Sequence, residues 1–146
     1  MGVDMRIRTG IFGLDELLQG GFPAGSCVLT SGKIGTGKSI FATQYIARGI
    51  MDYGELGVLV SFERDKKDLY QDASAFGWQL QSLEKEGSLQ ILGGSIARVV
   101  GEMNKAKATV EDLISEVVET VETSGSKRVA LERVELLAML SQGELE

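Results

Sequence analysis

The chain has 146 residues, of which 43% are hydrophobic and 25% are charged, and its formal net charge is −6. This length predicts a single domain over residues 1–146 with the composition of a globular protein. The acidic balance argues against a nucleic-acid partner, since broad attraction to phosphate needs a basic surface. The absence of histidine excludes His-based catalytic triads and His metal ligands.

The single cysteine, Cys27, cannot form an intrachain disulfide, which fits a reducing compartment. We expect it to be a small buried apolar residue. No apolar stretch approaches the roughly 18 residues of a transmembrane helix, and the N-terminus lacks the apolar region of a signal peptide. These features predict a cytoplasmic protein without a membrane partner.

The chain begins with a short extended lead-in over residues 6–9, followed by one or two helical turns over residues 13–18. Residues 22–25 are expected to form a turn. Residues 26–31 are apolar and β-branched, which predicts a buried strand that runs into a glycine-rich loop.

That loop, GKIGTGKS at residues 32–39, fits the phosphate-binding pattern G-x-x-x-x-G-K-[ST]. Its glycines let successive N–H groups point into one concavity, and the helix that follows presents an electropositive end. Lys38 is expected to reach the β- and γ-phosphates, and the Ser39 hydroxyl to ligate Mg²⁺. The predicted nucleotide-binding residues are Gly32, Lys33, Ile34, Gly35, Thr36, Gly37, Lys38, Ser39 and Ile40.

The rest of the chain alternates between strand and helix patterns. We predict helices over 40–50, 65–76, 110–121 and 134–140, strands over 56–62, 88–92 and 127–131, and an irregular crossover over 93–108. This alternation is typical of an α/β fold with a mostly parallel sheet. Ligands bind at the carboxyl ends of such strands, where Glu63 and Glu132 fall beside the glycine-rich loop.

The stretch RTGIFGLDELLQGGFPAGS, at residues 8–26, resembles the lead-in T-G-I-x-G-L-D-x-L-L-G-G-G-x-P-x-G of KaiC/RadA-type ATPases in the RecA-like superfamily. Residues 62–63 and 76–78 resemble the KaiC stretch after the second strand, and residues 127–132 resemble the segment with the Walker B acid. The resemblance implies a three-layer P-loop NTPase fold, ATP and Mg²⁺ as ligands, and assembly into homo-oligomers.

The resemblance also implies roles for individual residues. Lys38 and Glu63 are the catalytic candidates, with Glu63 activating the attacking water, while Ser39 and Glu132 are the candidate metal residues. Both glutamates could instead be solvated surface acids. The sequence departs from the family at three places: Ile34 stands where proline is usual, Arg64 replaces a second acid, and Glu132-Arg133 replaces Asp-Ser.

In the RecA-like family further strands follow the Walker B strand, and one of them inserts beside the P-loop strand, so the sequence lacks these C-terminal strands. Three arrangements remain open: the P-loop strand has another neighbour, another chain supplies the strand, or the sequence is a fragment. An uncovered strand edge favours association with a second copy.

Three functions compete on these features. The first is a KaiC-like ATPase with weak hydrolysis, and the second is a non-catalytic module whose assembly or conformation depends on nucleotide. The third, a RadA-like DNA-recombination protein, is disfavoured by the acidic charge.

Overall fold

The computed structural model describes residues 5–94, 101, 105 and 109–142. The strands are β1 Arg6–Ile7, β2 Phe22–Pro23, β3 Gly57–Ser61, β4 Leu89–Gly93 and β5 Arg128–Glu132. The helices are α1 Leu14–Leu17, α2 Lys38–Tyr53, α3 Lys66–Ser74, α4 Leu80–Lys85, α5 Val110–Ser124 and α6 Glu135–Ser141. None of the described helices is long and apolar enough to cross a membrane.

The central element is a three-stranded parallel sheet in the order β4-β3-β5. In the register, Gly57 of β3 is paired with Arg128 at the amino end of β5, and Ser61 with Glu132 at its carboxyl end. β3 is fully buried, as its unbroken apolar sequence predicts for a strand covered on both faces. The predicted α/β fold with a parallel sheet is therefore confirmed.

Helices cover both faces of the sheet and give the chain three layers. On one face, α2, α3 and α4 pack on β3 and β4 around Ile46, Leu59 and Leu89, which are inaccessible to solvent. On the other face, Val117 of α5 packs against Val58, Val60 and Phe62, together with residues of α6. α5 begins with a capping box in which Thr109 and Asp112 satisfy each other's backbone N–H groups.

The predicted buried strand over residues 26–31 is wrong. These residues have no strand conformation, and Val28 and Leu29 are 47% and 79% exposed. Cys27, expected to be buried, is exposed. The physical reason is the lack of a neighbour, because a strand needs a hydrogen-bonded partner and none of the described strands pairs with this segment.

Smaller differences concern local elements. The predicted turn at 22–25 contains β2, which pairs antiparallel with β1, and α4 lies where no helix was expected. Most of the predicted crossover over 93–108 lies outside the described residues. On α5, the predicted apolar face is only partly covered, since Ile114 and Val118 remain 48% and 49% exposed.

A buried arginine ties the lead-in to the sheet. The side chain of Arg128 is inaccessible to solvent, and its Nε donates to Glu55 Oε2 at 2.6 Å. Its Nη atoms donate to the carbonyl oxygens of Arg8 at 2.6 Å and Tyr45 at 3.1 Å. The guanidinium also lies 4.6 Å from the centre of the Tyr45 ring, a cation–π contact. Gly49 makes room for this side chain, because a Cβ there would lie 2.3 Å from Arg128 Cδ.

The loop between β1 and α1 is held by Asp15. Its Oδ1 accepts hydrogen bonds from the backbone N and the hydroxyl of buried Thr9, both at 2.7 Å. Burial by itself raises the pKa of Asp15, but these hydrogen bonds from Thr9, with that from Gly10, outweigh it and lower the pKa below its ordinary value. The ionised carboxylate therefore stabilises the loop.

Replacing Arg128 by methionine should lower the free energy of unfolding by about 3–5 kcal/mol, because its backbone carbonyl acceptors and Glu55 lose a shared donor. Urea denaturation followed by circular dichroism measures the change. Lys127→Met, at the exposed neighbouring position, is the control and should cost less than about 0.5 kcal/mol. Equal stability of the two variants would contradict the role given to Arg128.

Replacing Asp15 by asparagine should cost about 1–2 kcal/mol near pH 7, because the hydrogen bonds from Thr9 lose a charged acceptor. The folded-state pKa of Asp15 is lowered, so its contribution is present above the unfolded pKa and is lost as the pH falls through the folded one. Urea denaturation near pH 7 and near pH 3 should therefore show the difference from the wild type shrinking in acid. Glu16→Gln is the control, and a difference independent of pH would refute the assignment.

Candidate functional site

The glycine-rich loop leads directly into the first turn of α2. Gly35 and Gly37 have φ values of 82° and 91°, and Gly37 is the residue that precedes the helix. This left-handed conformation is strained for residues with a Cβ, so the two glycines are needed at these positions. The loop therefore places its backbone at the electropositive end of a helix of 16 residues, an arrangement suited to an anion.

Lys38 lies folded against its own loop. Its Nζ donates hydrogen bonds to the carbonyl oxygens of Gly32 at 2.7 Å and Lys33 at 2.8 Å. The Thr36 hydroxyl donates to the same Lys33 oxygen at 2.8 Å. Residues 32–37 are exposed, and Lys38 and Ser39 are half-buried. The loop is thus a tight turn that is exposed to solvent. The ammonium group of Lys38 lies inside this turn, bonded to two of its carbonyl oxygens.

The first turns of α2 lie beside the segment that follows β3. Ile40 and Thr43 of α2 line one small cavity together with Arg64. The rest of its wall comes from the α3 region: Leu69, Asp72, Ala73, Phe76 and Trp78. The first turns of α2, the segment after β3 and α3 therefore meet at one corner of the molecule.

Glu132 is the last residue of β5 and is only 4% exposed. Ser61, its partner in the register with β3, donates a hydrogen bond from Oγ to Glu132 Oε2 at 3.1 Å. Arg64 Nη2 lies 3.3 Å from Oε1 and 3.4 Å from Oε2 of the same carboxylate. Burial raises the pKa of Glu132 above its ordinary value, and Arg64 and Ser61 offset only part of that rise.

Arg64 is held from a second side by α3. Its Nη1 donates to Asp72 Oδ2 at 2.5 Å, so the guanidinium bridges a carboxylate of α3 and the carboxylate of Glu132. The Arg64 side chain is 23% exposed, against 2% for Glu132 and 61% for Asp72. The bridge therefore runs from the surface to the buried end of β5.

Glu63 has a cationic partner as well. Its Oε1 lies 3.6 Å from Nη1 of Arg133, which follows β5 and has a left-handed φ of 60°. Arg133 Nε also lies 2.8 Å from Oε1 of Glu135. The Glu63 side chain is 46% exposed, whereas Glu132 is buried, which excludes the alternative that Glu132 is a surface acid.

The sheet brings Glu63, Arg64, Glu132 and Arg133 to one edge, as the strand ends predicted. Sequence reasoning treated the two arginines as departures from a pattern and missed that each is paired with an acid from the other strand. It also missed Ser61 and Asp72. Predicting these contacts requires the register of β3 against β5, and the only signal in the sequence was the position of Ser61 at a strand end.

Comparison of the sequence with known protein families gives the class of protein. A family model described as "ATPase: KaiC" matches residues 7–145. The match covers nearly the whole chain, which therefore belongs to the KaiC ATPase family. With the parallel sheet and the glycine-rich loop, this makes it a P-loop domain of the KaiC type.

Individual relatives agree with this assignment. The chain is 35% identical over 138 residues to the UPF0273 protein MJ1359 of Methanocaldococcus jannaschii. This alignment covers 90% of this chain and 57% of that protein. It is 36% identical over 137 residues to the circadian clock protein KaiC2 of Synechocystis. This alignment covers 91% of this chain and 23% of that protein.

A solved structure shows the same fold. The crystal structure of the KaiC-like protein PH0186 from Pyrococcus horikoshii OT3 is similar with a TM-score of 0.76 and 35% identity. The similarity covers 87% of this chain and 52% of that chain. The chain thus spans about half the length of this structure and of the archaeal relative.

Proposed function

We propose that residues 1–146 form a nucleotide-binding domain that binds ATP through the glycine-rich loop and hydrolyses it weakly. The observation that carries the proposal is the loop itself, formed by Gly35 and Gly37 at the amino end of α2 with Lys38 inside its curve. Membership of the KaiC ATPase family supports ATP as the nucleotide.

Each residue of the loop has a part in the proposed binding. The backbone N–H groups of Gly35, Thr36 and Gly37 would bind phosphate oxygens, and Gly32, Lys33, Ile34 and Ile40 flank them. Lys38 would exchange its bonds to two loop carbonyl oxygens for bonds to phosphate, which is favourable because a charged acceptor is stronger than a neutral one.

The residues present fit Mg²⁺ only in part. The half-buried Ser39 hydroxyl, in the first turn of α2, is a suitable oxygen ligand, and Mg²⁺ would there neutralise charge on the phosphates. Glu132 does not fit, because both of its oxygens are within hydrogen-bonding range of Arg64 and one also accepts from Ser61. The described residues contain no cluster of three or more His, Cys, Asp or Glu residues that could hold a metal.

Glu63 is the proposed catalytic acid–base residue. It lies at the carboxyl edge of the sheet and is 46% exposed, so water can reach it. A carboxylate there can orient a water for attack on the terminal phosphate. Arg133 at 3.6 Å competes for the same carboxylate, which is the physical reason for expecting weak hydrolysis.

The crossed pairing of Glu63 with Arg133 and Glu132 with Arg64 also favours a second function, a nucleotide-dependent interaction module without turnover. In that case nucleotide sets an assembly state or a conformation. Nucleotide binding without release of phosphate would select this alternative over the ATPase.

Replacing Lys38 by alanine should weaken ATP binding by about tenfold or more, because a charged hydrogen-bond donor to phosphate is lost. Isothermal titration calorimetry of the full chain measures the affinity, and Lys85→Ala, an exposed lysine of α4, is the matched control. Phosphate release by the wild type and by Glu63→Gln reports turnover in parallel. Absence of any ATP binding by the wild type would refute the proposal.

We also propose that the chain forms homo-oligomers. Within the described residues the outer edge of β5 is unpaired, and Val129 and Leu131 on this strand are 36% and 43% exposed. Such an edge can pair with another chain. Light scattering at micromolar concentration should show a mass above that of one chain, and a monodisperse monomer would rule this out.

A further inference from the structure

Among the described residues, the carboxyl edge of the sheet contains two acid–arginine pairs that cross between strands. Arg64, which follows β3, is paired with Glu132 of β5, and Arg133, which follows β5, is paired with Glu63, which follows β3. The two pairs differ in burial, since the side chain of Glu132 is 2% exposed and that of Glu63 is 46% exposed. Of these two pairs, only Arg64–Glu132 contains a carboxylate that is shielded from water.

The geometry around Arg64 is that of a fixed cation. One nitrogen is held by Asp72 at 2.5 Å, and the other faces both oxygens of Glu132 at 3.3 and 3.4 Å. The planar guanidinium matches a carboxylate, and its charge does not depend on pH in the physiological range. The anchor on α3 reduces the freedom that Arg64 would otherwise lose on pairing with Glu132.

The hydrogen bond from Ser61 to Oε2 adds a third fixed contact to Glu132. A divalent cation approaching this carboxylate would have to displace the guanidinium and leave it near a like charge. Magnesium also dehydrates reluctantly and is usually held by one or two carboxylates together with several of its own waters. With Arg64 in place, both oxygens of Glu132 face the guanidinium, so a cation at this carboxylate would meet a like charge.

We propose that Arg64 supplies the positive charge at Glu132 and thereby excludes a divalent cation from that carboxylate. The proposal deepens the proposed nucleotide function, and its consequence for ligand binding rests on that function. Because the charge at Glu132 is already neutralised within the chain, this carboxylate adds nothing to Mg²⁺ binding, and an Mg²⁺ bound with the nucleotide is held by Ser39 and the phosphates. Removing Arg64 frees Glu132 and so strengthens the dependence on Mg²⁺.

The first test needs no nucleotide. Thermal unfolding is measured with and without about 10 mM MgCl₂ at matched ionic strength, since screening alone changes stability. The wild type and Lys67→Gln, an exposed cation on α3, should show no response to Mg²⁺. The melting temperature of Arg64→Gln should rise by about 3 °C or more when Mg²⁺ is added.

The double variant Arg64→Gln/Glu132→Gln should lose that rise, because the freed carboxylate is gone. If Arg64→Gln folds only when Mg²⁺ is added, that recovery supports the proposal too. A Mg²⁺-dependent stabilisation of the wild type, or no response of Arg64→Gln, overturns it. These outcomes are independent of whether the loop binds ATP.

The second test measures ATP affinity in Mg²⁺ and in EDTA by calorimetry. The ratio of the dissociation constant in EDTA to that in Mg²⁺ should be at least about threefold larger for Arg64→Gln than for the wild type, and Arg64→Gln/Glu132→Gln should return it to the wild-type value. Equal ratios in the wild type and in Arg64→Gln overturn the proposal. Failure of every variant to bind ATP refutes the proposed function instead, and the unfolding test then decides the role of Arg64.

Discussion

The parallel register of β3 against β5 is the constraint on which the rest of the structure depends. It places Arg128 beside Gly57 at the amino end and Glu132 beside Ser61 at the carboxyl end. At the first end, the buried guanidinium holds the lead-in and α2 against the sheet. At the second, the register brings together the acids and arginines of the candidate site. A shift of one residue would reverse the faces of β5 and expose both Arg128 and Glu132.

Each end of β5 carries a buried charged side chain, and the two charges are compensated by different partners. Arg128 is fully buried and is compensated by one carboxylate, backbone carbonyl oxygens and an aromatic face. Glu132 is compensated by one guanidinium and one hydroxyl. A buried charge persists only when it is paired and hydrogen-bonded, so each end requires partners from other elements. This requirement links α2, α3 and the lead-in to a single edge strand.

Much of the fold followed from local patterns. The apolar run of β3 and the amphipathic spacing of α5 predicted those elements within a few residues, because periodicity is a property of the segment itself. The motif at 32–39 likewise predicted a loop at the start of a helix. Residues 26–31 also carried a strand-like pattern but form no strand, because pairing depends on a neighbour that the segment does not specify.

The sequence by itself determined the glycine-rich loop, the α/β class and the resemblance to KaiC-type ATPases, all of which depend on residue types at fixed spacing. Only the tertiary structure decided the partners of the charged residues. Arg64 and Glu132 are 68 positions apart, and Arg133 meets Glu63 across the same gap between strands. Charge partners are set by strand register rather than by distance along the chain, so Arg64, which looked like the loss of an acid, is the ion-pair partner of a buried carboxylate.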